Sequence, residues 1–190
     1  AMLEMPVFPV EELRLQWDNL VLDQNKKLAD YASSTGTRMG TTVVAFLIVG
    51  ENYYIMNIGD SRAYMITDAI YQLTKDQTYV QFEMDAGRMT WEEAQVHPQR
   101  NVLLQCIGAS EQINPDYFIG QANPDTTFLL CSDGFRHLIS PDEIYEKLKP
   151  EILDNEDTML QNAISLIELN KTRKEVDNIS VAVIRTCREG

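Results

Sequence analysis

Positive charge and histidine are scarce in this sequence. Lys and Arg number 16 against 29 Asp and Glu, His occurs twice, and the formal net charge is −13. A surface this acidic repels phosphodiester backbones, which argues against any broad nucleic-acid binding. Cysteine is almost as sparse. Cys106, Cys131 and Cys187 are odd in number and scattered, with no C-x-x-C pair and no zinc-ligand spacing. Reduced structural thiols in a cytoplasmic setting are therefore expected, and neither a disulfide framework nor a zinc site. Long apolar runs are also missing. The longest, Val43 to Val49, falls far short of the roughly 20 residues that span a bilayer, so no membrane segment is expected. No stretch at the start has the layout of a signal peptide, and there are no repeats and no low-complexity linker.

What is present suits one domain with a single sizeable core: 190 residues, 44% hydrophobic and 24% charged. Residues 1–9 read as an irregular lead-in. Leu13, Trp17, Leu20, Val21, Leu28 and Tyr31 recur at helical spacing behind Glu11 and Glu12, and Ser33-Ser34-Thr35-Gly36 ends that helix. Thr41 to Val49 is β-branched and apolar, which predicts a strand buried on both faces. Tyr53–Ile58, Arg62–Ile66 and a short strand through Leu73 follow across tight turns, and connections this short force antiparallel pairing. Residues 75–105 form a polar, flap-like helical insert with a capping box at Thr90 and Glu93, and Ser140 and Glu143 make a second one. Strands are predicted at Tyr117–Gly120, Thr126–Cys131 and Ile179–Ile184, with a last amphipathic helix through Leu160, Ala163, Ile164 and Ile167. Antiparallel sheet with segregated helices places the chain in the α+β class.

Three aspartates share one context. Asp60 lies in Gly59-Asp60-Ser61-Arg62 after a strand, Asp133 in Cys131-Ser132-Asp133-Gly134 after another, and Asp177 in Asp177-Asn178-Ile179 before the last. Such carboxylates can be held rigidly while pointing into a cleft, and several meeting at one sheet rim would offer oxygen ligands to Mg2+ or Mn2+. Each one singly also has an ordinary use, because aspartate before Gly, Ser or Asn is a common turn former that bonds its own backbone.

Six ordered blocks carry a resemblance. Met39-Gly40-Thr41-Thr42, Asn57 to Tyr64 with its Gly-Asp-Ser-Arg, Leu73-Thr74-Lys75-Asp76-Gln77, the segments from Ala86-Gly87 to Ile107-Gly108, Leu129 to Phe135, and Asp177 to Val181 resemble the motifs of bacterial type 2C (PPM) metal-dependent protein serine/threonine phosphatases. The resemblance implies two antiparallel β-sheets packed as a sandwich and flanked by helices, incomplete at the N-terminus. It implies Mn2+ or Mg2+ as cofactor, with Asp133 and Asp177 as ligands of a two-metal centre and Asp60 near a third, weaker metal. Gly134, Ser132, Asn178 and Arg62 would be metal-adjacent. The implied reaction is hydrolysis of phosphoserine or phosphothreonine on proteins by a metal-bridged water, in bacterial signalling, with phosphorylated proteins as partners.

The departures from the family pattern shape further expectations. No D-G-M-G-G motif and no leading acidic pair occur before Met39, Gln77 stands where His is usual, and Leu104-Gln105 where Thr-Arg is usual. Residues 1–190 then read as a single partial phosphatase domain with negligible activity alone, and an exposed sheet edge would invite homodimerisation. The alternative is a phosphatase-like regulatory or binding module without catalysis. His97 and His137 are expected in structural or surface roles, Cys131 as a core residue, and Arg62 as a partner for nearby carboxylates. Met84, Met89 and Trp91 are open to either a substrate-facing or a packing role.

Overall fold

A computed structural model describes residues 8–187. In chain order its elements are α1 (Val10–Thr35), β1 (Val43–Val49), β2 (Asn52–Ile58), β3 (Arg62–Ile66), β4 (Ile70–Gln72), α2 (Tyr79–Asp85) and α3 (Trp91–Val96). There follow β5 (Asp116–Gln121), β6 (Thr126–Cys131), α4 (Asp133–Arg136), α5 (Pro141–Leu148), a 3-10 turn at Pro150–Ile152, α6 (Glu156–Thr172) and β7 (Val181–Thr186). The strands form two antiparallel sheets, one ordered β1-β2-β5 and the other β4-β3-β6-β7.

Side chains alternate between the faces of a strand, and that alternation sorts the apolar residues into three packed layers. Tyr53 and Ile55 of β2 meet Ala63 of β3 and Phe128 of β6 between the two sheets. Their neighbours on the opposite faces point outward. Met56 and Ile58 pack under α1 with Val21, Ile107 and Ile113. Tyr64, Ile66, Leu129 and Cys131 pack under α4, α5 and α6 against Phe135, Ile144, Leu148 and Leu166. The result is a sandwich covered on both sides by helices. Ile58, Ile66, Leu129, Phe135 and Leu148 are fully buried, each worth roughly 1.5–3 kcal/mol of transfer free energy.

Local sequence sets where the helices begin. Both capping boxes form: the Thr90 and Ser140 hydroxyls accept from the Glu93 and Glu143 amides, and each glutamate accepts in return from the cap residue's own N–H. Pro141 occupies the first helical turn of α5, where its missing N–H costs nothing. The insert is two short helices, α2 and α3, moored by backbone bridges from Thr41 to Ile107 and from Thr78 to Leu103.

β1 departs from expectation. It is half-buried along its whole length and not buried on both faces, because among the described residues it pairs with β2 alone and stands at the sheet margin. An apolar run cannot distinguish a central strand from a marginal one, since burial depends on what lies beside it. The last strand begins at Val181, two residues later than predicted; the Ser180 N–H donates to the Ser132 hydroxyl and not to a backbone carbonyl of β6.

Candidate functional site

Strand register puts the three candidate aspartates on one rim of the four-stranded sheet. Arg62 at the start of β3 pairs with Cys131 at the end of β6, and Cys131 pairs with Val181 at the start of β7. Asp60 precedes the first of these, Asp133 follows the second and Asp177 precedes the third. All three therefore emerge from the same edge of the molecule. The chain also crosses here from one sheet to the other, through Gly59-Asp60-Ser61 between β2 and β3.

Each turn is held tightly. Gly59 has φ +97°, and a Cβ there would sit 2.3 Å from the Thr42 methyl carbon, so no other residue fits. Its N–H donates to Gln77 Oε1 at 2.7 Å, and Gln77 Nε2 donates to Asp116 at 2.8 Å. Gln77, the departure from the family histidine, thus ties the Asp60 turn to β5. Across the rim, the Ser132 hydroxyl donates to the Asn178 carbonyl at 3.2 Å and accepts from the Ser180 N–H at 3.0 Å. Gly134 has no room for a side chain: a Cβ would lie 2.6 Å from the Asn178 carbonyl oxygen and 3.2 Å from Asp177 Cβ. The segment carrying Asp177 is therefore pressed against the residue that follows Asp133. Asp133 and Asp177 also serve as turn formers, accepting from the N–H of Gly134 at 2.8 Å and of Asn178 at 2.7 Å.

Behind the rim lies an arginine–carboxylate lattice. Arg62 donates from Nε and Nη2 to both oxygens of Asp76, each at 2.7 Å, and from Nη1 to the Tyr64 hydroxyl at 3.0 Å. Arg136 Nη2 donates to the Asp60 carbonyl at 3.2 Å, reaches Asp76 at 3.4 Å and lies 3.9 Å from the Asp60 carboxylate. Burial would lower the Arg62 pKa, but the Asp76 hydrogen bonds outweigh it and the net shift is upward. Burial pushes Asp60 above the ordinary carboxylate range, the Asp133 charge adds to this, and Arg136 pulls it partly back. Arg62 thus spends its fork on Asp76. Burial pushes the Cys131 thiol up to about 12, which marks a core residue and not a nucleophile.

His137, expected in a structural or surface role, lies between two carboxylates. Its Nε2 is 3.7 Å from Asp133 and its Nδ1 is 3.5 Å from Glu175, whose carboxylate also accepts from the N–H groups of Val176 and Asp177 at 2.9 Å. His97 lies away from the rim, accepting from the Gln99 N–H at 3.1 Å and leaning on the Tyr79 ring. Sequence reasoning missed Arg136 and Glu175. The available signal was a cation three residues after Asp133 on one helical turn; nothing local marked Glu175.

Asp60 and Asp177 line a cleft of about 880 Å³ that runs under α2 and α3, with Arg62, Arg136 and His137 in its wall. Asp133 sits just behind, against His137. A carboxylate such as Asp60, raised first by burial and then by a neighbouring carboxylate, has the donor chemistry of a Mg2+ or Mn2+ site. The set is short, however. Among the described residues no three His, Cys, Asp or Glu side chains are grouped closely enough to hold an ion by themselves. The residues fit part of a divalent-cation site.

Comparison with known proteins points the same way. The family described as "Protein phosphatase 2C" matches residues 4–171. The serine/threonine protein phosphatase PstP of Mycobacterium tuberculosis is 38% identical over 147 residues, covering 76% of this chain and 27% of that protein. The chain thus spans about a quarter of that relative's length. Among solved structures, the S. agalactiae serine/threonine phosphatase superposes with a TM-score of 0.85 at 30% identity, covering 96% of this chain and 74% of the other. The catalytic domain of PstP in complex with two manganese ions gives 0.70 at 30% identity, over 86% and 67%. No helix among the described residues is long and apolar enough to cross a membrane.

Proposed function

Because this chain belongs to the protein phosphatase 2C family, we propose that it acts in the hydrolysis of phosphoserine and phosphothreonine on proteins, with Mn2+ or Mg2+ held at the rim by Asp60, Asp133 and Asp177. The observation that carries this reading is the strand register that delivers those three carboxylates to one edge beside an open cleft. Bound divalent cations supply an activated water and neutralise charge developing on a phosphoryl group. The chain's own residues do the rest. The three aspartates bind, Arg136 and Gln77 fix the Asp60 turn, and Ser132, Gly134 and Asn178 fix the Asp133 and Asp177 turns. His137 is steadied by Glu175, and the cleft under α2 and α3 seats the substrate.

The 190-residue chain on its own is proposed to turn over negligibly, because three carboxylates spread along the rim cannot neutralise two close cations. The second reading, a phosphatase-like binding module, is favoured by that same shortage of grouped donors. Calorimetric titration with Mn2+ tests the site. The chain should bind and Asp133→Ala should bind at least tenfold more weakly; equal binding removes Asp133 from the site. Robust Mn2+-dependent release of phosphate from a phosphopeptide would overturn the proposed inactivity while supporting the enzyme reading. The partners are phosphorylated proteins and the location is cytoplasmic. Self-association through β1 is part of the same proposal, since among the described residues that strand pairs on one side only. A monomer in light scattering at every concentration tried counts against it.

A further inference from the structure

The cleft beside the rim has a charge pattern that the rim chemistry does not use. Four cationic side chains line it: Arg62, Arg100, Arg136 and Lys174. Arg62 and Arg136 are bound to Asp76. Arg100 and Lys174 have no ion pair and no side-chain hydrogen bond among the described residues, and both are exposed. They come from unrelated segments, Arg100 from the turn after α3 and Lys174 from the link between α6 and β7, yet they border the same space. In a chain of net charge −13, two unpaired cations converging on one cleft are not the average surface. Three apolar side chains that line the same cleft are open to solvent. Trp91 is 64% exposed, Val96 77% and Val176 96%. Large apolar side chains left this open at the mouth of a cleft offer contact area to a ligand.

We propose that Arg100 and Lys174 select phosphorylated protein segments that carry acidic residues beside the phosphoresidue, with a large apolar side chain of the segment resting on Trp91 and Val96. The proposal rests on the phosphatase reading and adds the sequence preference of its substrate. Acidic flanks are otherwise repelled by this chain, so the two cations act as a filter: they admit an acidic segment in one place and one orientation. The apolar platform supplies affinity that salt does not screen.

The experiment uses the intact 190-residue chain with Mn2+ present and follows Trp91 emission. Trp91→Phe provides the blank, since the only other tryptophan, Trp17, belongs to α1 and packs against the Val21, Met56 and Ile58 cluster. Three peptides are compared: a phosphothreonine peptide with Glu and Leu flanks, its unphosphorylated twin, and a phosphothreonine twin with Lys flanks. The acidic phosphopeptide should bind about tenfold tighter than the Lys-flanked one at low ionic strength, falling to about threefold at physiological salt. Arg100→Glu with Lys174→Glu should reverse that order. Lys26→Glu with Lys147→Glu, which changes net charge equally on exposed helix positions away from the cleft, should not. If the cleft pair leaves the order unchanged, if the distant pair reverses it equally, or if no peptide binds, the selection proposal is overturned. If flanks matter through Arg100 and Lys174 but the phosphorylated and unphosphorylated twins bind alike, the phosphatase reading fails and the flank assignment stands.

Discussion

On the outer face of the four-stranded sheet, α4, α5 and α6 lay Phe135, Ile144, Leu148 and Leu166 onto Tyr64, Ile66, Leu129 and Cys131, all of them buried. On the outer face of the three-stranded sheet, the 26-residue α1 buries only Val21 and leaves Leu15, Leu20, Leu22 and Tyr31 exposed. The same sandwich thus carries one finished flank and one lightly held flank. Trp17 and Leu28 pack partly buried beside Val21, and polar contacts add to this: Asn25 donates to the Ser110 carbonyl at 3.1 Å and accepts from the Gly108 N–H at 2.6 Å, and the Tyr117 hydroxyl donates to Asp18 at 2.6 Å. Hydrogen bonds of this kind contribute about 1 kcal/mol each, less than a buried leucine or phenylalanine. The difference shows that length alone does not anchor a helix.

Breaking the finished flank should have the largest effect. Phe135→Ala empties a fully buried position and should cost about 3–5 kcal/mol in urea unfolding, with the loss spreading to the Asp133 turn. Next comes the lattice between the flanks. Asp76→Ala leaves Arg62 and Arg136 without their shared carboxylate and should cost about 3 kcal/mol, while the paired change of Asp76→Leu with Arg62→Met should recover most of it. If the single and the paired changes are equally harmful, the lattice acts by shape and not by charge. The lightly held flank should respond less: Tyr117→Phe should cost about 1 kcal/mol, and hydrogen exchange should run faster in α1 than in α5 and α6.

The smallest effect sharpens the comparison through pH. On the finished flank Arg173 donates to both oxygens of Glu143, joining the end of α6 to the start of α5, and this holds the Glu143 pKa at about 2, below its ordinary 4.5. A depressed carboxylate stabilises the fold above its unfolded pKa and loses that contribution as pH falls through the folded value. The melting temperature of Glu143→Gln should therefore lie slightly below that of the parent from neutral pH down to about 4.5, with the gap closing toward pH 2. A gap that is constant with pH would assign the effect to the capping geometry alone.

Much of this architecture is legible in the residues. Alternation in β2, β3 and β6, the Ser140 and Thr90 boxes, and turn residues at Gly59 and Gly134 all act locally, so short windows reveal them. The three rim aspartates were likewise visible as strand-end acids. Their neighbours were not. Arg136, Glu175 and the place of His137 between two carboxylates depend on which strands lie side by side, and that is set by long-range pairing. The half-burial of β1 was hidden for the same reason, because Val43 to Val49 has the composition of a central strand whatever flanks it.

Gly59, Asp60 and Ser61 are the covalent link between β2 and β3, one of the points at which the chain passes from one sheet to the other. Reopening the chain at this point by circular permutation should loosen this corner of the sandwich and scatter the rim with it, whereas a nick at the Asp68-Ala69 hairpin should be tolerated. Loss of ligand geometry and loss of cohesion are therefore a single failure in this molecule, and variation tolerated at its corner is confined to changes that preserve both.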